Sequence, residues 1–327
     1  GRKFVHRKRA GIGGEACRQT FIKNVSKARI IINLGAPTDF SESAAEKFLR
    51  QFLSDPFILP FPKPVRSVLA GFIARRRTGR YLVAARRIAV RGEFPLVAYT
   101  RSLAEKVSAM SGERVYAAFR YGRDSVADVV ARLSAEGCDG FDFVPMYPQN
   151  SLSMTQSARA AVVAAVDGKK FSFRQSYCDH PLYIDALAEN VRFDKDGALL
   201  MSFHSVPISQ TRGSPYAAEC ETTARLLIER LGCGSALLGW QSKMGRGKWL
   251  EPSTVSLLRK LARRGVGSVS VVCPAFSCDC AETLSEIASD ARSYFLECGG
   301  KRFNYCRCPN DSDKHAELFC ALFEEMK

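Results

Sequence analysis

Leu199-Leu200-Met201-Ser202-Phe203-His204-Ser205-Val206-Pro207 is an apolar run that ends in a histidine and is closed by a proline. Such a run reads as a buried strand. In open parallel α/β sheets, ligands bind beyond the carboxyl ends of the strands. This strand therefore delivers one imidazole to the edge where ligands bind. A solitary histidine in that position is more often structural than functional, and the rest of the chain decides.

The pattern recurs along the chain. Ile30-Ile31-Ile32-Asn33-Leu34 reads as a second buried strand, turned by Gly35-Ala36-Pro37. Ser41 can cap a helix over 42–53, with Ala45, Phe48, Leu49 and Phe52 on one face and Asp55-Pro56 ending it. Further strands are predicted near 114–119, 141–146, 170–174, 198–203, 235–240 and 267–272. Helices are predicted near 102–111, 124–136, 153–166, 181–192, 214–231, 253–264, 281–297 and 313–326. Strands alternating with helices of this length imply βαβ units and parallel sheets. The polar turn Asp167-Gly168-Lys169-Lys170 divides the array into two similar doubly wound, Rossmann-like α/β halves, 28–168 and 169–311, with a cleft between them. The last stretch, 312–327, is expected to pack back on the N-terminal half.

The chain has 327 residues, 46% hydrophobic and 25% charged, ordinary for a globular protein with a real core. Its charge is less ordinary: 48 Lys and Arg against 33 acids give +15. The surface should favour phosphates, anionic lipid or acidic ligands. Twelve irregularly spaced cysteines are too sparse for a disulfide scaffold and suggest reduced thiols in an intracellular compartment. No apolar run reaches the ~18 residues of a spanning helix. Residues 1–27 carry Arg2, Lys3, Arg7, Lys8, Arg9, Arg18, Lys23 and Lys27 against Glu15 alone, like an acid-poor organelle-targeting leader or a disordered basic tail. Gly11-Ile12-Gly13-Gly14 lacks the flanks of a phosphate-binding loop.

Residues 57–77 break the rhythm. Phe57-Ile58-Leu59-Pro60-Phe61-Pro62 precedes Val65, Val68, Leu69, Phe72 and Ile73, then Arg75-Arg76-Arg77, with no acid between Asp55 and Glu93. This fits an interfacial membrane helix, or equally a packed helix with a solvated basic end. Nucleic-acid binding would need aromatics interleaved with the basic residues, and here they cluster on the apolar side.

A second candidate site is Cys273-Pro274-Ala275-Phe276-Ser277-Cys278-Asp279-Cys280-Ala281-Glu282, between a strand and a helix and so also at a carboxyl edge. Glu282, Glu286 and Asp290 recur every four residues and form one row. Like charges so placed cost ~0.2–0.5 kcal/mol per pair. They suit a solvated face, or a path for cations or protons. The pairs Cys278/Cys280 and Cys306/Cys308 are weak metal signatures, although Cys298, Cys306 and Cys308 together could ligate a metal. Tyr147-Pro148-Gln149-Asn150-Ser151 and Trp240-Gln241-Ser242-Lys243, with Trp249 beyond, also follow strands, and large aromatics there can wall a pocket for a flat ligand.

These stretches, with Gly213-Ser214-Pro215-Tyr216, Cys220-Glu221-Thr222-Thr223, Asn33-Leu34-Gly35-Ala36-Pro37 and Phe119-Arg120-Tyr121-Gly122, resemble in order and spacing the ferrochelatase family, from about residue 29 to the end. The likeness is closest to the proteobacterial type, with Cys280 where animal enzymes carry histidine. Asn150 stands where the family usually has tyrosine, Gly92-Glu93-Phe94-Pro95-Leu96 replaces a more compact pattern, and Lys248 sits where many members have proline.

The resemblance implies two four-stranded parallel sheets in a chelatase-like fold and insertion of Fe(II) into protoporphyrin IX to form haem with release of two protons. His204 becomes the essential base or metal-handling residue. Glu282 faces it across the cleft, and Glu286 and Asp290 form a transit path on a locally widened helix. Leu34, Phe57, Leu59, Tyr121 and Trp249 become wall and lip residues, and Arg50 and Arg120 candidate propionate partners. Fe(II) is then a substrate, with no tightly bound cofactor and no iron–sulfur cluster. A membrane surface and haem-pathway enzymes are the implied partners, and nucleic acid is not. A porphyrin or metal carrier of the same fold is the alternative function. The basic leader and the high cysteine count favour a mitochondrial inner-membrane location, with a bacterial cytoplasm at the inner membrane, to which the motif type points, as the alternative.

Overall fold

The computed structural model describes residues 26–194, 196–243 and 247–326. Most of the basic leader, 1–25, lies outside them. Two four-stranded sheets organise the molecule, and every pairing between their strands is parallel. The first contains β1 (Ser26–Asn33), β2 (Val115–Phe119), β3 (Cys138–Pro145) and β4 (Lys170–Phe173), in the order β2-β1-β3-β4. The second contains β5 (Ala198–His204), β6 (Leu237–Gln241), β7 (Ser268–Val272) and β8 (Arg302–Cys306), in the order β6-β5-β7-β8. The two orders are the same, so the halves repeat one topology. The central strands explain the apolar runs: Ile30, Ile31 and Ile32 in β1 and Leu199 to Phe203 in β5 are all buried, as layers on both faces of a parallel sheet require.

The N-terminal helices are α1 (Glu42–Leu53), α2 (Lys63–Ile88), α3 (Pro95–Ser111), α4 (Val126–Ala135) and α5 (Ser157–Val166). Then come α6 (Pro181–Asn190), α7 (Tyr216–Leu231), α8 (Thr254–Arg263), α9 (Ala281–Leu284), α10 (Arg292–Glu297) and α11 (Asp313–Glu324). Ser41 caps α1 by accepting from the Ala44 amide at 3.2 Å. π-helical turns occupy Leu152–Gln156 and Glu286–Ala291.

Four features differ from the sequence expectation. The turn at 167–170 does not divide the sheets: β4 follows it and pairs with β3, so the first sheet closes at Phe173. β8 is an additional strand, only partly buried until Cys306 and therefore without a continuous apolar run. α2 continues to Ile88, past the 57–77 segment, because Tyr81, Leu82 and Ala85 carry its packed face onward. α3 starts at Pro95, whose fixed φ and missing N–H suit a first helical turn.

One core cluster joins the halves: Ile31, Leu103 and Val144 share it with Phe203, Trp240 and Val272, and with Phe319 and Phe323 of α11. The last helix lies against α3, α6 and β3. Polar bridges cross the same junction. Gln149 donates to Thr223 Oγ1 at 3.0 Å and to the Pro274 carbonyl at 3.2 Å, a carbonyl that Tyr183 holds from within the second half at 2.5 Å.

Candidate active site

In a 2-1-3-4 sheet the strand order reverses between the first and third strands, and the crevice there, at the carboxyl edge, is where ligands bind. The fold has two such points. Leu34 and the Met146–Asn150 loop flank the first, and His204 and the Cys273–Cys280 loop flank the second. The two meet: Asn33 Nδ2, at the end of β1, donates to Cys278 Sγ at 3.3 Å and to Thr100 Oγ1 at 2.9 Å.

His204 is half-buried at the last position of β5. Its Nδ1 lies 2.7 Å from the Ser205 carbonyl. A carbonyl only accepts, so Nδ1 carries a proton and Nε2 is the nitrogen left free of the backbone. Tyr216 fixes the backbone here by donating to the His204 carbonyl at 2.8 Å. The Phe276 ring, from the loop after β7, stands 6.1 Å from the imidazole.

Glu282 is on α9, half-buried, and its carbonyl accepts from Gln241 Nε2 at 2.8 Å. Glu286 is also half-buried, and Ser242 donates to it twice, from its amide to Oε1 at 2.7 Å and from its hydroxyl to Oε2 at 2.6 Å. Burial pushes the Glu286 carboxyl above its usual range, the Ser242 hydrogen bonds oppose this, Glu282 adds to it and His204 lowers it. Glu286 thus lies within electrostatic reach of both His204 and Glu282. The turn from Glu286 is widened as the resemblance implies: the Asp290 amide donates to the Ser285 carbonyl, five residues back, at 2.9 Å. Asp290 is exposed, so the row runs from the cleft toward solvent.

Leu34 and Leu59 pack with Phe52, Ile58, Ile73 and Tyr81 as a partly buried apolar wall over Phe48, Leu49 and Tyr121. Tyr81, on α2, faces α9: burial raises its phenol pKa, and Glu282 and Cys280 raise it further. Gly35 and Gly122 form the turns beneath with positive φ, where a Cβ would sit 2.0 Å from the Tyr121 carbonyl and 2.2 Å from the Ala36 carbonyl. Phe57 instead borders a cavity of about 480 Å³ with Leu152, Asn150, Gln156, Gln175 and Ser214, whose lining includes neither His204 nor Glu282. Trp249 is 9% exposed, bridged to Pro207.

Two residues take other places than expected. Tyr121 is 1% exposed and donates to Asp55 at 2.7 Å, so it supports the wall from below. Arg120 turns inward to Asp55 at 2.5 Å and to Ser157 Oγ at 2.8 Å, so its guanidinium serves this internal network and not a propionate. Asp55, buried and accepting also from Ser157 at 2.6 Å, is a residue that sequence reasoning read only as the end of a helix. Arg50 is exposed on α1. Among the described residues no group of three or more His, Cys, Asp or Glu is placed to hold a metal ion. Cys306 and Cys308 are buried thiols with raised pKa values, unlike thiolate ligands.

Two repeated α/β halves, with an imidazole and a row of acids at the second switch point where it meets the first, define a protein of the chelatase class. Solved structures agree on the fold. SirB from Bacillus subtilis with Fe3+ superposes with TM-score 0.57 at 9% identity, over 91% of this chain and 94% of that one. A multi-domain Deinococcus radiodurans protein described as similar to chelatases gives 0.55 at 12%, over 93% of this chain and 56% of that one. The ferrochelatase family model matches residues 26–327. The ferrochelatase of Janthinobacterium sp. (strain Marseille) is 38% identical over 315 residues, 91% of this chain and 86% of that one. That of Azoarcus sp. (strain BH72) is 40% identical over 299 residues, 86% of this chain and 82% of that one. The chain belongs to the ferrochelatase family.

Proposed function

We propose that this member of the ferrochelatase family inserts Fe(II) into protoporphyrin IX in the cleft between the two sheets, with His204 on one side of the macrocycle and Glu282 on the other. Two pyrrole N–H protons leave, four ring nitrogens take the metal, and haem is released with two protons. His204, whose ring is oriented by the Nδ1–H bond to the Ser205 carbonyl, is the base that takes a pyrrole proton, through Nε2. Glu282, Glu286 and Asp290 bring the hydrated cation inward or lead protons outward. The porphyrin supplies four ligands of its own, so a pair of facing protein groups suits a metal that must leave, whereas a closed protein cage would retain it. Leu34, Leu59 and Trp249 offer the apolar surface that a flat macrocycle needs, and exposed Arg50 is the remaining candidate for a propionate.

The observation that carries this reading is that two consecutive residues, Gln241 and Ser242, bond to the backbone beside His204, to the Glu282 carbonyl and to the half-buried Glu286 carboxylate. The test is anaerobic incubation of purified protein with protoporphyrin and Fe(II), following porphyrin fluorescence. Its decay with haem formation supports the reading; binding without metallation would make the protein a carrier.

The lip rests on a membrane in this reading. Phe61, Val65, Val68 and Phe72 form an exposed apolar stripe on and just before α2, 46%, 48%, 74% and 59% exposed. Arg75, Arg76 and Arg77 follow, with Arg76 over the Phe72 ring at 5.2 Å. That is the arrangement of an interfacial helix on anionic lipid. No helix among the described residues is long and apolar enough to cross a membrane. The bacterial relatives favour a bacterial cytoplasm, and the exposed stripe is what would bring the protein to a membrane there. The mitochondrial location expected from the basic leader and the cysteine count finds no support in these bacterial relatives.

A further inference from the structure

We propose that Ser242 is a positioning residue for metal entry: it clamps Glu286 and, with Gln241, holds the acid row in register with His204. The inference rests on the reading of Glu286 as part of the Fe(II) path. β6 ends at Gln241, and Ser242 adopts a left-handed backbone with φ 64°, which a serine adopts rarely. That turn aims its amide and its hydroxyl at the same carboxylate, one donor to each oxygen, at 2.7 and 2.6 Å. Each oxygen keeps a lone pair for a cation or its water, but the carboxylate plane is fixed.

Gln241 ties the same point to the end of the histidine strand. Its carbonyl accepts from the Ser205 amide at 2.8 Å, next to His204. Its Nε2 donates to the Glu282 carbonyl at 2.8 Å, and its Oε1 accepts from Ser202 Oγ at 2.7 Å. Two consecutive residues therefore touch the histidine strand, the Glu282 backbone and the Glu286 carboxylate. The chain beyond Ser242 returns to the porphyrin wall: the Lys248 carbonyl accepts from the Ile208 amide at 2.9 Å and the Leu250 amide donates to the Val206 carbonyl at 3.2 Å, on either side of Trp249. Ser242 is thus the joint between a wall of the porphyrin pocket and the metal path.

Without the hydroxyl, one Glu286 oxygen loses its donor and the carboxylate can rotate away from the path. Wild type, Ser242→Ala, Ser242→Gly and Glu286→Gln are compared with Fe(II) and protoporphyrin varied separately, and porphyrin affinity is titrated by fluorescence. Both Ser242 variants are expected to raise the KM for Fe(II) about tenfold, as loss of a hydrogen bond to a charged group would. The porphyrin KM and affinity stay at the wild-type values. Glycine relieves the left-handed strain and keeps the amide donor, so a defect in Ser242→Ala that Ser242→Gly lacks would trace to strain and overturn the inference. A parallel rise in both KM values would show a merely structural role and also overturn it. If Glu286→Gln raises the metal KM and Ser242→Ala does not, the clamp is wrong while the path stands. If Glu286→Gln leaves the metal KM unchanged, the path itself fails.

Discussion

His204 is competent as a base because of one contact, the 2.7 Å bond from Nδ1 to the carbonyl of the next residue. That bond places a proton on Nδ1 and orients the ring, so the aim of Nε2 is set before substrate arrives. His204→Ala is expected to lower kcat by about 10²- to 10⁴-fold, the usual worth of a positioned general base, while porphyrin still quenches on binding. Full insertion activity in that variant would remove His204 from the mechanism. Asp55 has a different kind of importance. It is buried and takes Arg120, Tyr121, Ser157 and the Phe57 amide, the last at 2.8 Å. Asp55→Ala leaves the Arg120 charge, 22% exposed in its side chain, without its partner. The expected loss is about 3 kcal/mol, the lower end for breaking a buried pair, measured by urea unfolding. An unchanged midpoint would mean that the network is replaceable. The sequence does reveal His204, because a strand pattern and a terminal histidine are local facts. It also quotes Arg120 and Tyr121 correctly as a unit, but not their direction. Asp55 lies 65 residues earlier, and only the fold brings it beneath them.

At the scale of elements, strands buried on both faces were legible because their composition is their environment: Ile30 to Ile32 and Leu199 to Phe203 leave no other reading. β8 was not, since Arg302-Phe303-Asn304-Tyr305 is an edge strand with one partner, β7, and half-open faces. The acid helix was legible only through its spacing. Its backbone is interrupted, with α9 and α10 separated by the π turn at Glu286–Ala291. Such turns are rare and often sit at functional sites. α2 is where a prediction belongs to an element. Phe61, Val68 and Phe72 are exposed, so changing all three to serine removes almost no packing, and the unfolding midpoint should move by the equivalent of about 0.5 kcal/mol or less per site. Sedimentation with anionic vesicles should fall sharply, because each side chain loses ~1.5–3 kcal/mol of burial in the lipid boundary. Undiminished sedimentation would leave the stripe without that role.

For the whole molecule, the question is what holds two repeated halves at a fixed separation across a reactive cleft. A shared core does most of it, and α11 closes it from behind. Arg29 in β1 pairs with Glu324 at 3.0 Å, and Glu325 takes His180 at 3.1 Å and Arg174. At the start of the same helix, His315 is fully buried, with Nδ1 2.5 Å from the Asn310 carbonyl and Nε2 lacking a hydrogen-bond partner. Asn310 in turn holds the loop before Glu282, donating to Asp279 at 2.8 Å and accepting from its amide at 2.7 Å. Burial lowers the His315 pKa from 6.5 to about 4, against weaker opposing effects of the Asn310 carbonyl and Asp311. Between those values the unfolded chain binds a proton that the native state refuses. Stability is therefore complete above pH 6.5 and falls as pH drops toward 4, by on the order of 3 kcal/mol in all and about 2 kcal/mol by pH 5. Glu325 and Asp39, whose carboxyls are held below their usual range, lose their contribution only at lower pH. Glu286, pushed upward by burial, acts in the opposite direction and is common to both chains being compared. Urea unfolding of wild type and of His315→Gln at pH 7.5 and pH 5 isolates the imidazole, since any packing loss in the variant cancels in the difference between the two pH values. The wild type should lose about 2 kcal/mol more than the variant over that interval. Equal losses would mean that His315 is protonated in the folded protein, and that the clasp between α11 and the Asp279 loop is not a neutral one.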